Sequence, residues 1–173
     1  MKSEDFERRV APLREPLARF VSMMVGHEAE EIVQAAIAAA FADLGRFEER
    51  SKFSTWLYGI ALNLCRKHLR DKGRHAGQAA PEILEAQPSR ARGVLSSVLR
   101  HEMAERLEIA VGRLPTSMRE AFLLRYVDQM DYPEISSITG VSEGTARVRA
   151  FRARALLRDE LGAVVDTVWL ERE

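Results

Sequence analysis

Apolar residues recur every three to four positions along most of the chain, which is the period of a helix buried on one side. The pattern predicts one helix over residues 30–44, with an alanine-rich body that favours helix, and a second over residues 54–71. Ser54 or Thr55 is the predicted N-cap residue of the second helix. Nothing between residues 14 and 72 alternates in the manner of a strand, so this part is predicted to be helical throughout.

The apolar spacing also predicts which side of the helix at 54–71 is buried. On this pattern Tyr58 is the aromatic residue most exposed on the helix, and Cys65 is a packed thiol without companion metal ligands. The residues predicted to form the buried stripe are Phe53, Trp56, Leu57, Ile60, Leu64 and His68.

Glycine, proline, alanine and serine dominate residues 73–93, and this composition is typical of a flexible linker. Helical patterns resume beyond it, at about residues 94–114, 116–127, 132–139 and 143–161. The predicted fold class is therefore all-α, with two small helical domains at residues 1–72 and 94–173 joined by the linker 73–93. The tail at 162–173 has two interpretations, a short amphipathic docking segment or a final turn that packs on its domain.

A helix-turn-helix signature lies in the second half of the chain. Asp131 and Glu134 have the spacing of a capping box, which predicts a helix that begins at Tyr132. Gly140 can adopt the positive φ that a tight turn needs, and Ser142 can cap the longer basic helix that follows. A short helix, a glycine turn and a longer helix are the arrangement of many DNA-binding domains.

The longer helix has two different sides. Ala146, Ala150, Ala153, Leu157 and Leu161 recur at the spacing of a buried stripe. The other side is basic, and we expect its first residues to meet base edges and the later arginines to contact phosphates, since a recognition helix enters the groove by its N-terminus. A solvated basic surface is the alternative. The candidate DNA contacts are Glu143, Thr145, Arg147, Val148, Arg149, Phe151, Arg152 and Arg154.

A second basic surface is predicted on the helix at 54–71. Asn63, Arg66, Lys67 and Arg70 fall three to four residues apart and therefore share one side. An asparagine among three cations can bind a DNA backbone and also contact bases. A stripe that only increases solubility is the alternative.

The charge is unevenly distributed, although the chain of 173 residues has 26 basic and 26 acidic side chains. Residues 1–45 carry five basic and eight acidic side chains, whereas residues 46–74 carry eight basic and three acidic ones. Five arginines lie between residues 142 and 158. The net charge of zero therefore does not exclude a nucleic-acid partner, because binding depends on where the charge lies.

Composition excludes several classes of protein. A single cysteine cannot form an intramolecular disulfide or a cysteine metal cluster, and it suits a reducing cytoplasm. No apolar run reaches the roughly 20 residues of a membrane-spanning helix, and the first ten residues lack the apolar core of a signal peptide. No nucleophile–base pair or phosphate loop stands out. We expect a cytoplasmic protein that does not insert into membranes, with no catalytic residues, no metal and no cofactor.

Two stretches together resemble the bacterial RNA polymerase sigma factors. Residues 29–34 (AEEIVQ) and 53–63 (FSTWLYGIALN) resemble the second domain of the family. Leu114-Pro115, Arg119, Glu134-Ile135 and residues 144–154 (GTARVRAFRAR) resemble its fourth domain. Both stretches occur in the family's order with only a short linker between them. This plan is similar to that of the extracytoplasmic-function (ECF) group.

The resemblance implies a function, partners and site residues. The chain is expected to be a transcription initiation factor that brings core RNA polymerase to promoters, recognises their −10 and −35 elements and assists DNA melting. Glu31 and Gln34 are expected to contact the clamp helices of the largest polymerase subunit, and the flap is a second expected contact. The expected −10 contacts are Arg46, Arg50 and Lys52 in a base-capturing loop, with Asn63, Arg66, Lys67 and Arg70. The recognition helix, with Arg147, Val148, Phe151 and Arg152, is expected to read the −35 element. An anti-sigma protein is a further expected partner.

Two other functions remain open at this stage. Ala35, Gly59 and Leu62 depart from the acidic or basic residues common in the family, which would suit a sigma-like protein that binds a regulator without directing transcription. A stand-alone helix-turn-helix repressor with an unrelated helical domain is the other alternative.

Overall fold

Four helices form the first half of the computed structural model, which describes residues 3–76 and 96–162. They are α1 (Ser3–Val10), α2 (Arg14–Val25), α3 (Ala29–Ala42) and α4 (Phe53–Ala76). Short 3₁₀ turns at Ala11–Leu13, Gly26–Glu28 and Leu44–Arg46 follow the first three helices. We call residues 3–76 the N-terminal bundle.

Residues 96–162 form the C-terminal bundle. Its helices are α5 (Ser96–Arg113), α6 (Thr116–Phe122), α7 (Tyr132–Thr139) and α8 (Glu143–Leu161), and a π-helical turn at Leu123–Val127 extends α6. The described residues include no strand, so the all-α prediction is confirmed. The predicted bounds of α7 and α8 agree with the observed ones to the residue.

Helix α4 differs from the prediction at both ends. It begins at Phe53, and the first turn is closed by the Trp56 amide, which donates to the Lys52 carbonyl at 3.1 Å. Ser54 and Thr55 therefore lie inside the helix, and the N-cap prediction was wrong. The helix continues to Ala76, so the first four residues of the predicted linker are helical. The rest of the linker and the tail beyond Gly162 lie outside the described residues.

The buried side of α4 is rotated relative to the predicted stripe. The fully buried residues of this stretch are Leu57, Tyr58, Ala61, Leu62 and Cys65. Tyr58 is only 2% exposed and packs against the Phe20 ring at 5.2 Å between centroids, so the prediction of an exposed Tyr58 was wrong. The rotation arises because α4 packs against α2 and α3 and also against α7 of the C-terminal bundle. The other predicted stripe residues, Phe53, Trp56, Ile60, Leu64 and His68, are half-buried.

Helix α8 packs through its small side chains. Ala146, Ala150, Ala153 and Leu157 are at most 1% exposed, and Leu161 is half-buried, as the apolar spacing predicted. Side chains this small let the α8 backbone approach its neighbour α6 closely. A larger side chain at Ala150 would overfill this contact, at a cost of about 1–3 kcal/mol.

The helix-turn-helix geometry is set by local hydrogen bonds. The Glu134 amide donates to Asp131 Oδ1 at 2.8 Å, and the Asp131 amide donates to Glu134 Oε2 at 3.2 Å, which completes the capping box. Gly140 has φ of 76°, in the left-handed region that glycine tolerates. The Thr145 amide donates to Ser142 Oγ at 3.2 Å and caps α8. The turn predictions are confirmed.

The two bundles pack directly on each other. Arg119 of α6 is 6% exposed and donates to the Met24 carbonyl of α2 at 2.8 Å and to the Leu114 carbonyl at 3.2 Å. It also donates to the Gly112 carbonyl. Burial lowers the pKa of this guanidinium, and the carbonyl acceptors compensate part of its lost hydration. A buried arginine therefore joins the two halves of the structure.

Candidate nucleic-acid interface

The exposed side of α8 presents the residues predicted to read DNA. Arg147 and Arg152 are exposed, and between them Val148 and Phe151 are 48% and 67% exposed. Glu143 and Thr145 are exposed in the first turn. Guanidinium groups can donate two hydrogen bonds to guanine, and apolar side chains can contact thymine methyl groups. One helix, of a size that fits the major groove, therefore presents both hydrogen-bond donors and apolar side chains to the bases.

Three arginines near this surface lie over tyrosine rings. The guanidinium carbons of Arg147 and Arg125 are 4.8 Å and 5.2 Å from the centroid of Tyr132. Arg154 lies over Tyr126 at 5.6 Å. Arg149 and Arg154 are half-buried, so less of their side chains is available for phosphate contacts than the sequence pattern predicted.

The predicted basic surface of α4 is divided in the structure. Asn63, Lys67 and Arg70 are exposed, as predicted. Arg66 instead makes a bidentate ion pair with Glu120 of α6, with distances of 2.7 Å from Nε and 2.6 Å from Nη2. It also donates to the Thr139 carbonyl at 3.2 Å. The Glu120 side chain is 3% exposed, and its hydrogen bonds raise the pKa of Arg66. Arg66, one of the four residues predicted to contact DNA, is thus bound by the C-terminal bundle.

The loop at 46–52 carries three predicted cations, each beside an acidic side chain. Arg46 lies 3.5 Å from Asp43 and Arg50 lies 2.7 Å from Glu48, and both arginines remain more than 80% exposed. Pairs this exposed contribute little to stability and yield easily to a phosphate. They therefore leave both cations available to DNA.

Lys52 has a partner in the other bundle. Its Nζ is 2.7 Å from Glu134 Oε1, and this hydrogen bond raises the pKa of Lys52. Glu134 also completes the capping box of α7. Like Arg66, Lys52 is held by a carboxylate of the C-terminal bundle.

Three aromatic rings pack together within and next to the loop at 46–52. Phe47 stacks on Trp56 with centroids 4.9 Å apart and planes inclined by 32°. Phe53 completes the cluster, at 5.7 Å from each of the two. Half-buried rings beside exposed cations are the surface that unpaired bases favour. Sequence reasoning assigned Phe53 and Trp56 to the core and did not single out Phe47.

The predicted polymerase contacts lie on α3. Glu31 and Gln34 are both exposed and are three residues apart, so they share one side of the helix. Ile32, Val33, Ala36 and Ile37 on the other side are buried. Both predicted residues are therefore accessible to another protein.

A buried carboxylate lies at the junction of the bundles. The Asp128 side chain is 3% exposed, and Arg19 of α2 donates to its Oδ1 at 3.4 Å. Burial raises the pKa of Asp128 to about 6, and Arg19 only partly offsets this. Burial and then the charge of Asp128 raise the pKa of Tyr58. Asp128 lines a cleft of about 590 Å³ between the bundles, together with Arg19, Lys52, Tyr58 and Glu134.

Replacing Asp128 with asparagine should flatten the dependence of stability on pH. Because the pKa of Asp128 is raised from 3.8 to about 6, the folded protein binds this proton more tightly than the unfolded chain. The resulting stabilisation is complete below about pH 4 and is lost as pH rises through about 6. Between pH 4 and 7 the wild type should lose about 2–3 kcal/mol more unfolding free energy than Asp128→Asn.

Urea unfolding at pH 4, 5, 6 and 7 measures this difference. Asp159→Asn removes an exposed carboxylate of α8 and serves as the control, which should follow the wild type. Parallel profiles for wild type and Asp128→Asn would show that this carboxyl does not titrate as described.

Two other features are absent from the described residues. Neither residues 3–76 nor residues 96–162 contain a group of three or more His, Cys, Asp or Glu side chains arranged to hold a metal ion. In the same ranges no helix is long and apolar enough to cross a membrane. Cys65 is buried, as predicted, and burial raises the pKa of its thiol to about 12.

Comparison with known proteins identifies the family. A family model described as "Sigma-70 region 2" matches residues 9–75, and one described as "Sigma-70, region 4" matches residues 102–157. The ECF RNA polymerase sigma factor SigW of Bacillus subtilis (strain 168) is 35% identical over 142 residues, which cover 78% of this chain and 76% of that protein. The chain belongs to the ECF sigma factors. The ECF RNA polymerase sigma-E factor of Escherichia coli (strain K12) is 31% identical over 168 residues, which cover 92% of this chain and 88% of that protein.

Solved structures share the fold. RpoE from Bartonella quintana, determined in complex with the anti-sigma factor NepR, has a TM-score of 0.77 at 23% identity, covering 95% of this chain and 98% of that one. CnrH, determined in complex with the cytosolic domain of CnrY, has a TM-score of 0.68 at 24% identity. The match covers 94% of this chain and 90% of CnrH. The prediction of an ECF sigma factor, a transcription regulator that directs RNA polymerase to promoters, is confirmed.

Proposed function

We propose that this sigma factor reads the −35 element with the exposed side of α8 and the −10 element with α4 and the loop at 46–52. The observation that carries the −35 assignment is the exposure of Arg147, Val148, Phe151 and Arg152 on one side of a helix-turn-helix recognition helix. Glu143 and Thr145 lie in the turn that enters the groove first, and Arg149 and Arg154 flank it. The two bundles would act as the predicted domains, 1–72 and 94–173, on either side of the linker 73–93.

The −10 assignment is supported by the chemistry of the N-terminal bundle. Exposed Asn63, Lys67 and Arg70 offer hydrogen-bond donors and positive charge to a strand. The loop adds the exposed Arg46 and Arg50, and its Phe47 stacks on Trp56. Extruding a base costs a few kcal/mol, which stacking and phosphate contacts help to offset.

Full contact of α4 with the −10 element requires the two bundles to separate at Arg66. Arg66 and Lys52 are held by Glu120 and Glu134, so neither can contact a phosphate without leaving its carboxylate. We propose that the arrangement described above is a closed state, and that core polymerase favours an open one. Glu31 and Gln34 of α3 would contact the clamp helices of the largest subunit, and the C-terminal bundle would contact the flap.

A protein inhibitor is the natural partner of such a closed state. The two solved neighbours are complexes with NepR and with the cytosolic domain of CnrY, and for the first the partner is named an anti-sigma factor. We propose a partner of this kind for the present chain. We further propose a cytoplasmic, non-enzymatic protein without cofactor or metal, since its work is binding polymerase and DNA.

Run-off transcription with purified core polymerase tests the proposed function. Addition of the full-length chain should produce transcripts from its own promoters, and core polymerase alone should not. A chain that binds core polymerase but yields no transcript from any genomic fragment would instead act as a regulator-binding protein. A chain that binds DNA without polymerase would act as a repressor.

Replacing Asn63, Arg66 and Lys67 with alanine should impair promoter opening more than polymerase recruitment. These residues are expected to grip the melting strand, whereas Glu31 and Gln34 on α3 remain intact. Permanganate reactivity of thymines near the start site should fall on the order of tenfold, while holoenzyme formation stays near the wild-type level. Wild-type permanganate reactivity in the triple variant would contradict the −10 assignment.

A further inference from the structure

We propose that Tyr132 is a positioning residue for Arg147, and that it aligns the guanidinium with the base pair that Arg147 reads. The inference rests on the proposed reading of the −35 element by α8. It adds a residue that is outside the recognition helix and outside the predicted DNA contacts.

The position of Tyr132 is fixed by the fold. It is the first residue of α7, immediately after Asp131, whose side chain and backbone form the capping box with Glu134. Its ring is half-buried and packs against the hydrophobic core. The turn through Gly140 then brings Arg147, in the second turn of α8, over this ring. A rigid aromatic surface therefore lies beside the start of the recognition helix.

Arg147 rests on that surface. Its guanidinium carbon is 4.8 Å from the ring centroid, within the distance at which a cation is attracted to an aromatic face. The residue is otherwise exposed, and a free arginine side chain samples many rotamers. Two parallel hydrogen bonds to guanine require one of these orientations. Contact with the ring restricts the guanidinium before DNA arrives and lowers the entropy cost of binding.

A second arginine limits where Arg147 can lie. The Arg125 guanidinium carbon is 5.2 Å from the same centroid, and its Nη1 donates to the Met130 carbonyl at 3.1 Å. The anchored Arg125 guanidinium occupies part of the space around the Tyr132 ring, and its positive charge repels Arg147 from that space. Arg152, by contrast, has no aromatic ring beside its guanidinium in the part of the chain that the structure describes. Arg147 and Arg152 thus differ in a way that an experiment can use.

The test begins by assigning bases to arginines. Holoenzyme is assembled with the full chain, and its affinity is measured for promoter fragments in which each −35 base pair is replaced in turn. The base pair at which Arg147→Ala loses discrimination is assigned to Arg147, and the one at which Arg152→Ala loses it is assigned to Arg152. If Arg147→Ala keeps full discrimination at every position, the −35 assignment of Arg147 fails and the inference fails with it.

Substitutions of Tyr132 then separate positioning from packing. Tyr132→Leu should lower discrimination at the Arg147 base pair about two- to fivefold, the range expected for an exposed cation–ring contact, and leave the Arg152 base pair unchanged. Tyr132→Phe keeps the ring and should retain wild-type discrimination. Adding Tyr132→Leu to Arg147→Ala should cause no further loss at that base pair.

Fluorinated phenylalanines at position 132 provide a variant that preserves the fold. Successive fluorine atoms weaken the negative face of the ring with little change in shape, so discrimination at the Arg147 base pair should fall stepwise. Constant discrimination across this series would overturn the inference even if Tyr132→Leu proves unstable. An equal loss at all base pairs in Tyr132→Leu would also overturn it, since that result indicates a purely structural role.

Discussion

Replacing both Arg147 and Arg152 with alanine should lower the affinity of the holoenzyme for −35-dependent promoters on the order of 100-fold. Each well-formed arginine–base contact discriminates by about 1–3 kcal/mol, and every 1.4 kcal/mol changes a binding constant tenfold. Both side chains are exposed on α8 and neither packs in the core, so the fold should be unaffected. Promoter affinity measured with purified holoenzyme, on fragments with intact and scrambled −35 elements, gives the result.

The matched control removes the same charge elsewhere. Arg8 on α1 and Arg106 on α5 are exposed arginines outside the proposed DNA surfaces. The double variant Arg8→Ala/Arg106→Ala should reduce affinity only slightly, and equally for both fragments. If the α8 double variant shows the same small and sequence-independent loss, its arginines act only through net charge, and the −35 assignment is wrong.

Replacing Glu120 with glutamine should open the closed arrangement and increase the affinity of the free protein for a single-stranded −10 oligonucleotide about tenfold. The bidentate pair with Arg66 at 2.7 Å and 2.6 Å is a charge-assisted contact of the kind that contributes about 1.5–3 kcal/mol. Glutamine keeps the shape of the side chain but loses its charge. Since open molecules would bind the strand more tightly, with Arg66 free to contact it, apparent affinity rises with the open fraction.

Two measurements on the free chain check this expectation. Energy transfer between dyes on α1 and α8 reports the separation of the bundles, and fluorescence anisotropy reports oligonucleotide binding. Glu160→Gln is the matched control, because the Arg113–Glu160 pair at 2.8 Å lies within the C-terminal bundle. Equal energy transfer and equal affinity in Glu120→Gln and wild type would show that this ion pair does not hold the bundles together.

Local signals in the sequence predicted much of the C-terminal bundle. The capping box at Asp131 and Glu134, the positive φ of Gly140 and the Ser142 cap depend on residues only a few positions apart. Such interactions can be inferred from spacing alone. The alanine stripe of α8 was predictable for the same reason, because one helix with one buried side shows a single period.

Contacts between the bundles could not be predicted in this way. Tyr58 faces Asp128 and Arg66 is bound by Glu120, and each of these contacts joins residues that are more than fifty positions apart. The π-helical turn at Leu123–Val127 places Asp128 beside Arg19, and nothing in its sequence distinguishes it from an ordinary helix end. The sequence pattern of α4 indicated one buried side, whereas in the fold that side is rotated toward Tyr58 and Cys65, since α7 also packs on the helix. Periodicity reveals that a side is apolar or charged but not which distant element covers it.

On the proposed −10 assignment, the ion pairs of Arg66 and Lys52 would affect the ionic balance of DNA binding. A phosphate that takes either cation displaces a counterion from the DNA, which ordinarily makes affinity fall steeply as salt increases. Here the same step releases Glu120 or Glu134, and each freed carboxylate attracts a solution cation in return. Part of the ion release at the DNA is thereby cancelled by ion uptake at the protein. If these residues bind the −10 strand as proposed, its binding should be less sensitive to ionic strength than the number of phosphate contacts implies.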